Sequence, residues 1–288
     1  MQPLAKRWKI QEKISSQAEQ NLKGYPPVLR QVLFNRGYAS LEQARLFLEA
    51  LPLPGTQPEN MLGIRPAVER IYSAVNNNEP IVIYGDYDVD GVTATALLVH
   101  FLRRLGAHVD GYIPNRFEEG YGLNNEALAG IHQQGARLVI SVDCGIRSPG
   151  EVEFARQLGL EMIITDHHHA GNELPQALAI INPKQPGESY PDKDLAGVGL
   201  AYKLACGYAN FLEAKGIKLE STQKPDNFLD LVALGTVADL APLTGENRSL
   251  VREGLKKLTS SRNQGLVSLI NSAAYPEKNS PHLTLVMV

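Results

Sequence analysis

Residues 81–91 read IVIYGDYDVDG, and the fold of the chain turns on how this stretch ends. Its short apolar, β-branched run stops in Asp86, Asp88 and Asp90. The same design recurs in residues 138–145, LVISVDCG, which reach Asp143, and in residues 161–169, EMIITDHHH, which end in Asp166, His167, His168 and His169. Each run is too short and too β-branched for a helix and reads as a buried parallel strand. In an open α/β sheet, ligands sit outside the carboxyl ends of the strands. The fold is therefore expected to gather these carboxylates and imidazoles along one edge. Acids so crowded repel one another unless cations neutralise them, which predicts a metal site.

Outward from these strands the chain alternates. The strand at 81–84 leads through the acidic turn to a helix over TATALLVHFLRRL ended by Gly106. Then come a strand at 109–113, a helix capped by Asn124 and stopped by Gly135, and strands at 138–142 and 162–165. Between the last two, SPGE places Ser148 at the N-cap, Pro149 at N1 and Glu151 at N3, the pattern of a capping box. The expected fold class is α/β, a doubly wound, mostly parallel sheet. Helices are expected over GVGLAYKLACGYANFL and over NFLDLVALGTVADL, which runs into Asp239. Residues 1–78 read as an N-terminal helical extension, with Gly37 closing one helix, Ser40 capping the next, and Ile64, Val68, Ile71 and Val75 at helical spacing. Residues 79–262 read as the catalytic domain. Residues 263–288 read as a tail of weak signal whose last stretch, PHLTLVMV, resembles a strand.

At 43% hydrophobic and 20% charged residues, the 288-residue chain can bury a core and is not globally disordered. A net charge of −3 offers no bulk attraction to nucleic acid, so a polyanion would be held by local Lys and Arg or by metals. Two cysteines, Cys144 and Cys206, are too few for a disulfide scaffold and form no CxxC. Cys144 reads as core or rim. No apolar signal core and no membrane-length run is present, so the expected location is cytoplasmic.

The acidic motif has rivals. Its Asp-x-Asp-x-Asp-Gly spacing opens an EF-hand loop, but the twelfth position from Asp86, which needs Glu, is Leu97. An apolar strand followed by DVDGV also resembles haloacid-dehalogenase-type phosphatases, with Asp88 as nucleophile and Asp90 as general acid. That chemistry needs no histidine ligands. A third reading makes the acids mere caps of the following helix, for which one Asp would suffice. DHHH discriminates, because adjacent imidazoles beside several carboxylates suit Mn²⁺ or Mg²⁺, with Zn²⁺ possible. Gly197-Val198-Gly199, at a helix start, offers amides to a substrate phosphate or else serves close helix packing. Arg116, with Tyr121 nearby, reads either as a backbone-phosphate and base contact or as a surface ion pair with Glu118 or Glu119.

DYDVDG, VDCG, TDHHH, GVGLAYKL and LGTVADLAPL, in this order over about residues 81–248, resemble the DHH phosphoesterase superfamily. Within it, PNRFEEGYGLN, LAGVGLAYKL, DLVALGTVADLAPLTGENR and the N-terminal NRGYASLEQARLFL are similar to RecJ-type single-strand-specific exonucleases. The resemblance implies metal ligands at Asp88, Asp90, Asp143, His167 and Asp239, with Asp86 in the same motif. It implies phosphate contact or metal support at His168, and Asp166 fits a supporting acid that orients an imidazole. Asp143 would bridge two Mn²⁺ or Mg²⁺ ions, and a water would be the nucleophile. Arg248, in GENR, is a further candidate for substrate contact. The implied activity is 5′-to-3′ hydrolysis of single-stranded DNA to mononucleotides in DNA repair and recombination, with single-strand-binding protein and a helicase as partners. RecJ-like chains continue into a second domain and an oligonucleotide-binding fold that are not found before Val288, so a catalytic-domain fragment is expected. Two other readings stay open: a DHH activity on short oligonucleotides or small nucleotides, and a non-catalytic metal- and DNA-binding module.

Overall fold

The structure is a computed structural model that describes residues 9–272; the strand expected over PHLTLVMV lies outside them. Five parallel strands, β1 (Ile81–Gly85), β2 (Val109–Tyr112), β3 (Leu138–Val142), β4 (Glu161–Thr165) and β5 (Ala179–Ile181), form one sheet in the order β2-β1-β3-β4-β5. Eleven α-helices accompany them among the described residues: α1 (Ser16–Asn21), α2 (Pro27–Asn35), α3 (Leu41–Leu48), α4 (Ile64–Asn76), α5 (Val89–Arg104), α6 (Asn125–Gln133), α7 (Pro149–Gln157), α8 (Gly197–Ala214), α9 (Leu229–Ala238), α10 (Gly245–Leu258) and α11 (Gln264–Ser272).

The period of two along each strand builds two cores. Ile81, Ile83, Leu138, Ile140, Val142 and Ile163 pack with α4, α5, α8 and α9 on one face. Tyr84, Val139, Met162 and Ile164 pack with α6 and α7 on the other. Covering both faces buries β3 end to end, which is why its sequence is a continuous apolar run rather than an alternation. In this strand order, successive connections reverse direction between β1 and β3, and such a switch point opens a crevice at the carboxyl edge.

The chain divides into two compact units, one running to Leu51 and one starting at Pro52. In the first, Leu22, Leu33 and Ala44 form a small core, and Ser40 closes a full capping box with Gln43 at the start of α3. Residues 52–78, read from sequence with the extension, supply α4, whose Ile64, Val68 and Ile71 join the core of the sheet unit. The apolar stripe of α4 has a sheet to cover, and that places it with the second unit.

Two local expectations change. Ser148 makes no capping hydrogen bond, and α7 starts on Pro149 alone. β5 was not anticipated: three residues, Ala179–Ile181, carry too little pattern for a strand, and pairing with β4 makes them one. The β4–β5 connection contains no helix among its residues 166–178 and carries the histidines.

Candidate metal centre

Each acidic motif sits where its strand leaves the sheet, so β1, β3 and β4 deliver Asp86, Asp143 and Asp166 to the same edge. α9 brings Asp239 there from the second layer as its C-cap residue.

The turn after β1 divides its three acids. Asp86 is buried, and its Oδ1 accepts from the Tyr87 amide at 2.7 Å. Asp88 is exposed and caps α5, its Oδ1 accepting from Gly91 N at 3.0 Å. The capping explanation therefore holds for one acid of the three. Asp90 is buried, and the first two amides of α8, Gly197 N and Val198 N, donate to its Oδ2 and Oδ1 at 2.6 and 2.8 Å.

Two amides of the glycine turn thus have a partner within the protein, and the positive end of α8 faces the Asp90 carboxylate. Gly197 must lack a side chain, because a Cβ there would lie 2.7 Å from Asp143 Oδ1. A Cβ on Gly199 would lie 3.2 Å from the Leu195 side chain.

Asp143 is fully buried and has φ +61°, a left-handed backbone that L residues rarely adopt. Its Oδ1 lies 3.1 Å from His167 Nε2. The two atoms are not in hydrogen-bond geometry, and both are buried without any hydrogen-bond partner. Burial first, then the charges of Asp88 and Asp166, push the Asp143 carboxyl up to about 9. Burial likewise raises Asp90 well above the ordinary range, with Asp143 adding repulsion. Asp86 and Asp239 are raised chiefly by burial as well.

Asp166 behaves oppositely. Burial works to raise it, but the hydrogen bond and charge of His168, together with the His168 and Ile146 amides, outweigh burial and hold it low. Its Oδ1 is 2.8 Å from His168 Nδ1, and its Oδ2 accepts from Ile146 N at 2.9 Å. In return, Asp166 raises His168 to about 9. That arrangement ties Nδ1 and leaves Nε2 of His168 for the crevice.

The oxygen and nitrogen atoms fall into two separate triads, Asp86–Asp88–Asp143 and Asp90–His167–Asp239, with Asp143–His167–His168 joining them. Within each group the ligand atoms lie within 4.8 Å of one another. Two orphaned buried atoms facing each other between two triads are what a divalent cation would satisfy. The donor set of carboxylate oxygen and imidazole fits Mn²⁺ or Mg²⁺.

His169 is exposed, and its carbonyl accepts from Arg147 Nε at 2.7 Å. Arg116 makes no ion pair with Glu118 or Glu119; its guanidinium lies 4.9 Å over the Tyr87 ring. Tyr87 meets Tyr121 at 6.1 Å between centroids, and Tyr121 meets His168 at 6.4 Å. An aromatic path thus runs from Arg116 to the histidines. Cys144 is buried in the core, and burial raises its thiol. Two residues escaped the sequence reading. Tyr87 was hidden by the acids on either side of it. Asn182, buried just beyond β5, donates to the His168 carbonyl at 2.9 Å, and its signal was lost with that strand.

The DHH family, N-terminal domain, matches residues 80–236. The single-stranded-DNA-specific exonuclease RecJ of Bacillus subtilis is 45% identical over 268 residues, 92% of this chain and 32% of that protein. The Escherichia coli exonuclease of the same name is 41% identical over 253 residues, 86% of this chain and 43% of that one. The match thus spans 32% and 43% of the length of these two relatives. Among solved structures, an exonuclease RecJ bound to manganese matches with a TM-score of 0.68 at 35% identity, covering 79% of this chain and 56% of that one. RecJ of Thermus thermophilus in complex with Mn²⁺ matches with a TM-score of 0.72 at 30% identity, covering 94% of this chain and 37% of that one. A strand-end cluster of paired acids and histidines on a doubly wound sheet, with this match over more than half of its length, makes the chain a member of the DHH family.

Proposed function

We propose that the chain carries the catalytic centre of a metal-dependent phosphodiesterase that degrades single-stranded DNA from its 5′ end to mononucleotides. The observation that carries this reading is the pair of orphaned atoms, Asp143 Oδ1 and His167 Nε2, 3.1 Å apart between two triads of ligands. Similarity to single-stranded-DNA-specific exonucleases supports the substrate, and the manganese of the related structures, with magnesium in a further RecJ structure of Thermus thermophilus, supports Mn²⁺ or Mg²⁺.

In this proposal Asp86, Asp88 and Asp143 hold one ion, and Asp90, His167 and Asp239 hold a second. When bound, the ions would supply an acidified water and positive charge against the attacking and leaving oxygens. The residues supply the frame. The α8 amides fix Asp90, and Asp166 holds Nδ1 of His168 so that its Nε2 edge is left for a phosphate oxygen. Arg116 and Tyr121 would take a backbone phosphate and a stacked base on the path through Tyr87. Arg248, in the first turn of α10, is a candidate for a second phosphate contact.

We assign 79–262, together with the α4 segment whose apolar stripe joins the core of the sheet, as the catalytic domain, and the helical unit that runs to Leu51 as an extension. Among the described residues, no helix is long and apolar enough to cross a membrane. Cytoplasmic location, a role in DNA repair and recombination, and partnership with single-strand-binding protein and a helicase belong to the same proposal.

The test is hydrolysis of 5′-labelled single-stranded DNA with Mn²⁺, beside Asp143→Asn. Labelled mononucleotide that disappears in the variant supports the reading. Release that survives in the variant, or that starts from the 3′ end, overturns it. Turnover of dinucleotides with none of longer strands would favour the short-substrate activity instead.

A further inference from the structure

A cavity of about 950 Å³ opens far from the acids, where the carboxyl end of α5, the start of α9, the end of α10 and the start of α11 meet. Asp88 and Asp90 stand at the start of α5 and Arg104 at its end, so about 24 Å of helix separates the two places. A volume of this size suits a nucleotide-sized ligand.

Its lining is cationic. Arg104, Lys257 and Arg262 contribute three permanent charges, and His100 stands beside them. Arg104 is anchored, lying 4.5 Å over the Phe228 ring and donating from Nη1 to the Thr222 carbonyl at 2.9 Å. Lys257 and Arg262 make no ion pair among the described residues. The single acid of the lining, Asp230, is buried and already engaged. Ser261 Oγ donates to its Oδ2 at 2.6 Å, and the Leu231 amide donates to its Oδ1 at 2.9 Å. Gln264 and Gly265 bring the amino end of α11, a second source of positive potential. Consistent with that field, burial and the charges of Arg104 and Arg103 lower His100.

Arg104, Lys257 and Arg262 thus face one cavity, and among its lining groups no acid pairs with Lys257 or Arg262. We infer that this cavity binds a phosphate group, of a nucleotide or of a nucleic-acid strand, at a site separate from the metal centre. Arg104 is the fixed donor, and Lys257 and Arg262 close on the ligand. The inference stands independently of the proposed nuclease activity, because it uses none of the acidic residues.

The test is calorimetric titration of the 288-residue chain in EDTA, so that metal-held phosphate contributes nothing. Three probes are used: inorganic phosphate, a nucleoside 5′-monophosphate, and a single strand without terminal phosphates. The expected result is binding that Asp143→Asn leaves intact and that Lys257→Ala with Arg262→Ala weakens at least about tenfold, as the loss of charge-assisted contacts predicts. The thermal unfolding midpoint of the double variant should stay near that of the parent, since neither side chain holds an ion pair among the described residues. The probe that shows this dependence identifies the source of the phosphate. Absence of binding by all three probes overturns the site, as does binding indifferent to the double variant or lost in Asp143→Asn.

Discussion

Asp143 combines three costs at one residue: a left-handed backbone, full burial and a carboxyl pushed up to about 9. Strain of this kind persists only where surrounding structure imposes it, and it collects at functional sites. Asp and Asn tolerate the left-handed region, whereas most other side chains lose roughly 1–2 kcal/mol there. Asp143→Asn is therefore expected to fold and to lose hydrolysis, while Asp143→Ala should also lose stability by about that amount. Urea unfolding of the two variants without metal checks this, and equal stabilities would refute it. Asp166 acts through His168 rather than on substrate. Asp166→Asn should weaken the phosphate contact of His168, raising KM for single-stranded DNA about tenfold with metal affinity little changed. It should also let the His168 pKa fall from about 9 toward its ordinary value. NMR titration of the ring protons reads the second effect, which a purely structural role would leave unmoved.

Helix packing sets the position of the second-layer ligand. α9 carries Asp239 to the edge, and α10 lies against α9 so closely that a Cβ at Gly254 would sit 2.1 Å from the Leu229 carbonyl oxygen. Gly254→Ala should cost about 1–3 kcal/mol, the range of overpacked cores, measured as a lower denaturant midpoint with unchanged slope. The start of α8 is equally constrained on its other side. Gly197→Ala would place a methyl 2.7 Å from Asp143 Oδ1, and it would shift the α8 amides off Asp90. Its expected signature is a loss of metal affinity larger than its loss of stability. A variant that binds metal normally would show that α8 does not position these acids.

The whole molecule should report the acid cluster through pH. Asp143, Asp90, Asp86 and Asp239 are all raised in the folded chain. A raised folded pKa means that the folded state holds protons which the unfolded state releases. The associated stability is fully present below the ordinary carboxylate value of about 4 and is lost as pH climbs through about 9, the Asp143 value. The unfolding midpoint of the metal-free chain should therefore fall across that window. Saturating Mn²⁺ should flatten the fall, because metal binding replaces the protons. A midpoint that rises between these limits without metal would contradict the buried cluster.

The sequence by itself determined the strands, their parallel pairing and the acids and histidines at their ends, because buried strands write a local signature of short apolar runs closed by polar residues. Asp86, Asp143 and His167 were legible for that reason. Asp239 was legible only through family resemblance, since nothing in NFLDLVALGTVADL says where that helix ends in space. Only tertiary structure decided that the Gly197 amide serves Asp90, that Tyr87 bridges Arg116 to Tyr121, and that AII is a strand. Each of these depends on a partner far away in the chain, which a local pattern cannot carry. The left-handed turn at Asp143 has the same origin: packing against α8 and β4 holds a backbone that Asp tolerates but its local sequence does not impose.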